Sequence, residues 1–370
     1  MPSTSDFRIA VLAGDGIGTE VTPAGLAALE AAAARVGGFG LAFEPLAAGA
    51  ETYRATGNAL PEATLRGCER ADAILLGAMG LPSVRYPDGT EIIPQVDLRF
   101  HFGLYAGVRP IRAIPGVPAA LADLRAAGID FVLIRESTEG LFAPDAKGSV
   151  EDDRVGREHL VITRAVSERL FRVAFDIAER RKADGHRGRV TCVDKANIFP
   201  AFAFFRKIFD EEAGRRPGIL ADHAYVDAMA LSLIVRPWDF DVLVTENMFG
   251  DILSDLAAGL IGGMGFAPSA DIGETHAVFQ PSHGSAPDIA GQGVANPTAM
   301  ILSAAMMLDW LGERHAVEPA RESARLIEQA VDTAFGEGEI VTCELGGDDG
   351  TDAVVSAVLD AIRTIPPVLA

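Results

Sequence analysis

Two carboxylates four residues apart, Asp251 and Asp255, interrupt the apolar stretch FGDILSDLAAGLIGG (249–263). Four residues is about one helical turn, so a helix sets both acids on one face. Like charges one turn apart repel. The flanking Ile252, Leu253, Leu256, Ala257 and Ala258 add to the cost of ionising them. Two compensations are open. The acids can face solvent near a helix N-terminus, or they can share a divalent cation through hard oxygen ligands. Taken alone, the stretch favours the first.

Other residues carry chemistry of their own. Arg99, Arg109 and Arg135 lie in VDLRFHFGLYAGVRP and LIRES. Each could serve one structural ion pair. Arg135 closes an apolar strand, where an uncompensated guanidinium is costly. Together, on an acidic chain, the three suggest a site that grips carboxylates in bidentate fashion. In VDKAN (193–197), Lys195 follows a buried strand with Asp194 and Asn197 beside it. Such a lysine is either an ion-pair partner or a base whose pKa nearby cations lower. YVDAMA (225–230) sets Asp227 among apolar residues, another acid in need of a partner. HGSAPDIAGQGVANPTA (283–299) is a long loop of small residues, which lets backbone approach a ligand closely. GDGIG (14–18) lacks the third glycine of the dinucleotide fingerprint, because Thr19 stands there. It reads as a tight strand-to-helix turn.

The elements that must position these residues follow from periodicity. Short apolar runs at 7–13, 72–77, 130–136, 188–194 and 241–246 read as strands. Helical patterns alternate with them at 18–36, 117–127, 163–182, 199–213, 247–260, 296–311, 318–335 and 351–363. This alternation predicts an α/β fold with a largely parallel sheet. Residues 137–162 break the pattern and read as a β-hairpin arm or a loop. The 370 residues, 49% of them hydrophobic, suffice for about two domains. No linker separates them, so they are expected to share the chain discontinuously. A net charge of −20 argues against nucleic acid and anionic lipid as partners. No secretory signal or bilayer-spanning run is legible. Cys68, Cys192 and Cys343 form no disulfide pattern, which fits a reducing cytoplasm.

The chain from AVLAGDGIGTEV to about residue 311 resembles the β-decarboxylating dehydrogenases, which act on isopropylmalate, isocitrate, homoisocitrate, tartrate and D-malate. NMFGDILSDLAAGLIGGMGFAPSA, HGSAPDIAGQGVANPTAMILSAAMML, VDKAN and YVDAMA carry the resemblance, in the family's order. It implies two α/β domains around one mixed sheet, not a Rossmann fold. Residues 1–104 plus 262–370 would form a cofactor domain. Residues 105–261 would hold the metal helix and the dimer interface, with 137–162 as an arm pairing with its dimer mate. The resemblance also implies roles. Asp251 and Asp255 would bind Mg²⁺ or Mn²⁺, completed by Asp227 from the other subunit of a homodimer. Lys195 would be the base, also from the partner. Arg99, Arg109 and Arg135 would hold the carboxylates of a small dicarboxylate substrate. His283, Gly284, Ser285 and Ala286 match the adenosine pocket, and Asn296 an adenine contact. Asp288 and Ile289 stand where NAD-using members carry an acid and an apolar residue, so NAD is favoured over NADP.

The chain also departs from the family. Isopropylmalate dehydrogenases place a glutamate and two leucines at positions aligning with Ile92, Gln95 and Val96, and Gln95 disrupts that apolar floor. Isocitrate dehydrogenases place serine and asparagine at the positions of Ile93 and Gln95. RPIRAIPGVPAAL (109–121) looks like the tartrate and D-malate branch. Gly107 replaces an asparagine, and Gln280 a glutamate. The family's catalytic tyrosine is Phe142 here. The expected activity is NAD- and metal-dependent oxidation, with decarboxylation, of a (2R)-2-hydroxy acid bearing a 3-carboxylate. The alternative is a non-catalytic or regulatory homologue, for which Phe142, Gly107 and Gln280 speak.

Overall fold

Strands that are apolar on both faces require cover on both sides. The computed structural model, which describes residues 5–144 and 148–366, supplies it. Residues 145–147 of the expected arm lie outside the described residues, as do residues 1–4 and 367–370 of the expected cofactor domain. Twelve strands are described: β1 (Ser5–Gly14), β2 (Phe39–Pro45), β3 (Ala73–Ala78), β4 (Ala106–Arg112), β5 (Asp130–Glu136), β6 (Ser149–Glu151), β7 (Val155–Arg157), β8 (Arg189–Asp194), β9 (Leu220–Tyr225), β10 (Val242–Thr245), β11 (Pro268–Ile272) and β12 (Ala277–Pro281). Ten of them form one sheet in the order β2-β1-β3-β12-β11-β4-β5-β10-β8-β9. Strands β2, β1, β3 and β12 run parallel, and so do β5, β10, β8 and β9. Between these flanks the pairs β12–β11, β11–β4 and β4–β5 are antiparallel. The sheet is mixed, and its antiparallel centre separates it from a doubly wound Rossmann sheet.

Side chains alternate between two layers, as the pleat requires. Ile9, Val11, Phe131 and Leu133 enter one core; Ala10 and Leu12 enter a second, and Val132 and Ile134 a third. The helices Gly18–Val36, Arg164–Ala183, Pro200–Ala213, Asn247–Leu260, Thr298–His315, Glu318–Gly336 and Thr351–Thr364 match the sequence pattern to within a few residues. The expected helix at 117–127 does not form. Pro115 and Pro118 lack a backbone N–H, Gly116 sits at φ 83°, and only a 3₁₀ turn forms at Leu124–Gly128. Strand β4 escaped the sequence pattern because Arg-Pro interrupts its apolar run. Pro110 is tolerated there because β11 pairs β4 only at 106–108. The missing donor faces the side where the ladder has ended. Residues 149–157 form a two-stranded hairpin of β6 and β7, with Val150 and Val155 exposed. No described helix is long and apolar enough to cross a membrane.

GDGIG forms the tight turn expected of it. Gly14 and Gly16 have φ 75° and 54°, and a Cβ on Gly16 would lie 2.0 Å from the Ser285 carbonyl oxygen. Buried Asp15 accepts from the backbone N–H groups of Ala50, Glu51 and Gly80 at 2.7–2.9 Å. The Ile17 N–H donates to the Ser285 carbonyl at 2.8 Å, which pins the turn to the loop that begins at His283.

Candidate active site

The site begins where three strands line up. Residue 271 of β11 pairs with Gly107 of β4, which pairs with Arg135 of β5. Two residues along β4, on the same face, stands Arg109. Both arginines are almost fully buried. Arg99 arrives from the helix Pro94–Phe102. Its Nε donates to Asp271 Oδ2 at 2.9 Å. Arg109 donates through Nη1 to Ser282 Oγ at 2.8 Å, and its Nε has no protein partner. Arg135 donates through Nε and Nη2 to Asn247 Oδ1 at 3.0 and 2.6 Å, and through Nη1 to Asp251.

Burial and the mutual repulsion of the arginines shape the electrostatics. Burial pulls the Arg109 guanidinium down to about 10, so it stays charged at neutral pH. Arg135 moves the same way, mainly through burial. Burial opposes ionisation of Asp271, but Arg99, Arg109 and Arg135 outweigh it and hold its carboxyl below the usual range. The helix Asn247–Leu260 is capped by Glu246, whose carboxylate accepts from the N–H groups of Met248 and Phe249. It carries Asp251 and Asp255 on its less buried side. Burial and the charge of Asp251 raise the Asp255 carboxyl. The pair offers hard, negative oxygen donors of the kind divalent cations take. Among the described residues of one chain, no three His, Cys, Asp or Glu side chains converge to hold an ion. Phe142 is half exposed, its ring 5.5 Å from the Arg135 guanidinium.

Lys195 and Asp227 are not part of this cluster. Lys195 follows β8, and its Nζ donates to Asp227 Oδ1 at 2.5 Å. That bond, more than the other contacts, lowers the Asp227 carboxyl below its usual range. Asp227 opens the helix Val226–Val235, which buries only Met229 and Leu233. Leu231, Ile234 and Val235 on this helix are exposed, as are Ile198, Phe199 and Ile252 nearby in sequence to Lys195 and Asp251. An apolar helix with most of its surface uncovered is uncommon in a monomeric soluble protein.

On the other side, the loop from His283 carries the remaining expected residues. A cavity of about 180 Å³ is lined by Ile17, His283, Ala286, Ile289, Asn296 and Glu344, among others. Burial lowers the His283 imidazole, so it is neutral, and its buried Nε2 has no protein partner. Ser285 is buried and donates to the Gly80 carbonyl, Gly284 and Asp288 are exposed, and Ala286 adopts φ 35°. Asn296 donates to Glu344 at 2.5 Å. A larger cleft of about 560 Å³, lined by Arg112, Asp130, His186 and Trp238 among others, holds none of the expected residues. Gln95 sits one turn before Arg99, and its buried Oε1 has no protein partner. Ile92 instead packs into a small core with Ala50, Leu81 and Val84.

Asp271, Asn247, Ser282 and Glu344 escaped the sequence reading. For Asp271 the signal was present: a lone acid in the apolar run FAPSADIG, of the kind that singled out Asp227.

The model of the isocitrate/isopropylmalate dehydrogenase family matches residues 8–362. The chain belongs to that family. It is 43% identical over 361 residues to the 3-isopropylmalate/3-methylmalate dehydrogenase of Methanocaldococcus jannaschii, covering 96% of this chain and 99% of that one. It is 42% identical to the isocitrate/homoisocitrate dehydrogenase of Thermus thermophilus, covering 97% and 99%. The crystal structure of isocitrate dehydrogenase from Methylococcus capsulatus superposes with a TM-score of 0.85 at 38% identity, covering 97% and 100%. The chain is thus an oxidoreductase of the β-decarboxylating dehydrogenase kind, with the fold of that family. The family uses NAD and a divalent metal.

Proposed function

We propose that the protein is an NAD- and Mg²⁺- or Mn²⁺-dependent homodimeric enzyme. It oxidises and decarboxylates a (2R)-2-hydroxy acid carrying a 3-carboxylate. The observation that carries this reading is the convergence of Arg99, Arg109 and Arg135 beside Asp251. Three guanidiniums with spare N–H groups are a receptor for two carboxylates. Asp251 and Asp255 would hold the cation, completed by Asp227 of the other chain. A cation held by these acids would supply Lewis-acid polarisation at the substrate's C2 oxygen. The residues around His283 would hold NAD, which would supply the hydride acceptor. Lys195 of the other chain takes the hydroxyl proton on Nζ. Loss of CO₂ from C3 then leaves a carbon that must gain a proton. The uncovered apolar face of Val226–Val235 supports the dimer. Residues 1–104 with 262–370, and 105–261 with the 137–162 arm, would form its two domains. The free cysteines Cys68, Cys192 and Cys343 support a cytoplasmic setting.

The substrate is a 3-substituted malate, D-malate or a tartrate. The relatives' names favour substituted malates. The unpartnered amide oxygen of Gln95, one turn from Arg99, favours a substituent with a hydrogen-bond donor. NADH formation with Mn²⁺ against D-malate, tartrates, isocitrate, homoisocitrate and 3-alkylmalates tests the reading. At least one should be turned over, and no NADH from any would refute it.

NAD should be preferred to NADP, because the Asp288 carboxylate stands where a 2′-phosphate would have to sit. Equal kcat/KM for the two would remove that role from Asp288.

Phe142 has the ring of the family's tyrosine but no proton to give. Oxidation should therefore proceed while protonation of C3 is slow. Phe142→Tyr should raise the ratio of CO₂ released to NADH formed, or speed the second step. A wild type that already gives one CO₂ per NADH, with neither rate nor ratio changed by tyrosine, would show that Phe142 stands outside the reacting centre.

A further inference from the structure

Two departures from the family pattern, Gly107 and Gln280, meet at one atom group. Asp271 is fully buried, at 1% exposure. Its Oδ2 accepts from Arg99 Nε at 2.9 Å and from Gln280 Nε2 at 3.0 Å. Its Oδ1 accepts from Ser137 Oγ at 3.2 Å. A Cβ at position 107 would lie 2.7 Å from Ser137 Oγ and 3.1 Å from Asp271 Oδ1. A side chain there would press on the carboxylate from the middle of the three-strand row. The absence of a side chain at 107 and the donor amide at 280 are thus both adapted to a carboxylate at 271.

We propose that Asp271 is a positioning residue for the substrate-carboxylate receptor. It fixes Arg99 through Nε alone. Both terminal nitrogens of Arg99 remain without a protein acceptor among the described residues, and so stay free for a carboxylate of a dicarboxylate substrate. A guanidinium tethered at Nε keeps its planar fork in one orientation, which is what bidentate recognition requires. Asp271 also supplies a buried negative charge beside three arginines, so that they can be held close together before substrate arrives. Gln280 completes the arrangement as a neutral donor. A glutamate there would put a second carboxylate within hydrogen-bond distance of the first, and two such groups share a proton instead of both ionising.

The inference rests on the proposed role of Arg99 in holding substrate, and the test separates the two. KM and kcat are measured with the best substrate of the panel named above (D-malate, tartrates, isocitrate, homoisocitrate and 3-alkylmalates), in Mn²⁺ and NAD, beside melting temperature. Four variants are compared: Arg99→Ala, Asp271→Asn, the double exchange Asp271→Asn with Gln280→Glu, and Gly107→Ala. Asp271→Asn should raise the dicarboxylate KM about tenfold, with a smaller fall in kcat and little change in the KM for NAD. The double exchange keeps one charge and inverts one hydrogen bond. It should recover about half of that loss on a logarithmic scale. Gly107→Ala leaves the carboxylate in place but crowds it, and should raise KM about threefold. If Asp271→Asn folds poorly, the double exchange and Gly107→Ala decide. Wild-type dicarboxylate KM in the folded Asp271 and Gly107 variants, with KM raised in Arg99→Ala, overturns the positioning role alone. Unchanged KM in Arg99→Ala, or no wild-type turnover of any substrate in that panel, overturns the role of Arg99 and the inference with it.

Discussion

Lys195→Met is expected to lower kcat by about 10²- to 10⁴-fold, the range a positioned general base contributes. Methionine keeps the length and apolar stem and removes the amine. Within one chain Lys195 is bonded to Asp227, an exposed acid that opens an uncovered apolar helix. Nothing on that face suggests a folding role large enough to produce such a loss. The substrate's hydroxyl proton has no other proposed acceptor. Steady-state kinetics with the best substrate of the panel would measure the fall, and calorimetry would check that NAD still binds. A loss of less than about tenfold would assign the proton to another group.

Asp251→Asn is expected to lower Mn²⁺ affinity by at least about tenfold, or about 1.4 kcal/mol. Asparagine keeps the shape and removes the charge. In the metal-free protein the cost should be modest, because Arg135 keeps two bonds to Asn247 and the repulsion with Asp255 disappears. The contrast is diagnostic. Mn²⁺ should raise the melting temperature of the wild type by mass action, and should do so far less in the variant. Unchanged Mn²⁺ binding in both Asp251→Asn and Asp255→Asn would return the two acids to a solvated helix face.

The local elements were legible where pattern and length agreed. The buried strands β3 and β5 and the long helices each satisfy one periodicity, and the structure differs from the pattern there mainly at the ends. The antiparallel centre of the sheet was not legible from periodicity. Strand β4 carries a proline and two arginines, and β11 is five residues with a buried aspartate, so neither reads as an apolar run. Those irregular strands are the ones that build the arginine cluster. The polar groups that make a site spoil the pattern that would reveal its strand. The resemblance supplied what periodicity could not, including the mixed sheet. Asp271 lay beyond both, because its meaning comes from Gly107, Arg99 and Gln280, which are distant in sequence and adjacent only across the sheet.

In the proposed dimer each active site takes its base from one chain and its metal acids from the other. Within one chain, Lys195 bonds Asp227 while Asp251 bonds Arg135, and the uncovered helix Val226–Val235 packs beside the helix Asn247–Leu260. Mixing Lys195→Met chains with Asp251→Asn chains under subunit exchange tests this most directly. In a mixed dimer one site draws lysine and aspartate from the two unmutated halves, and the other site draws both defects. With random pairing, NADH formation should return to about a quarter of the wild-type rate. No recovery above the sum of the separate variants, with exchange demonstrated by mass spectrometry, would contradict shared sites.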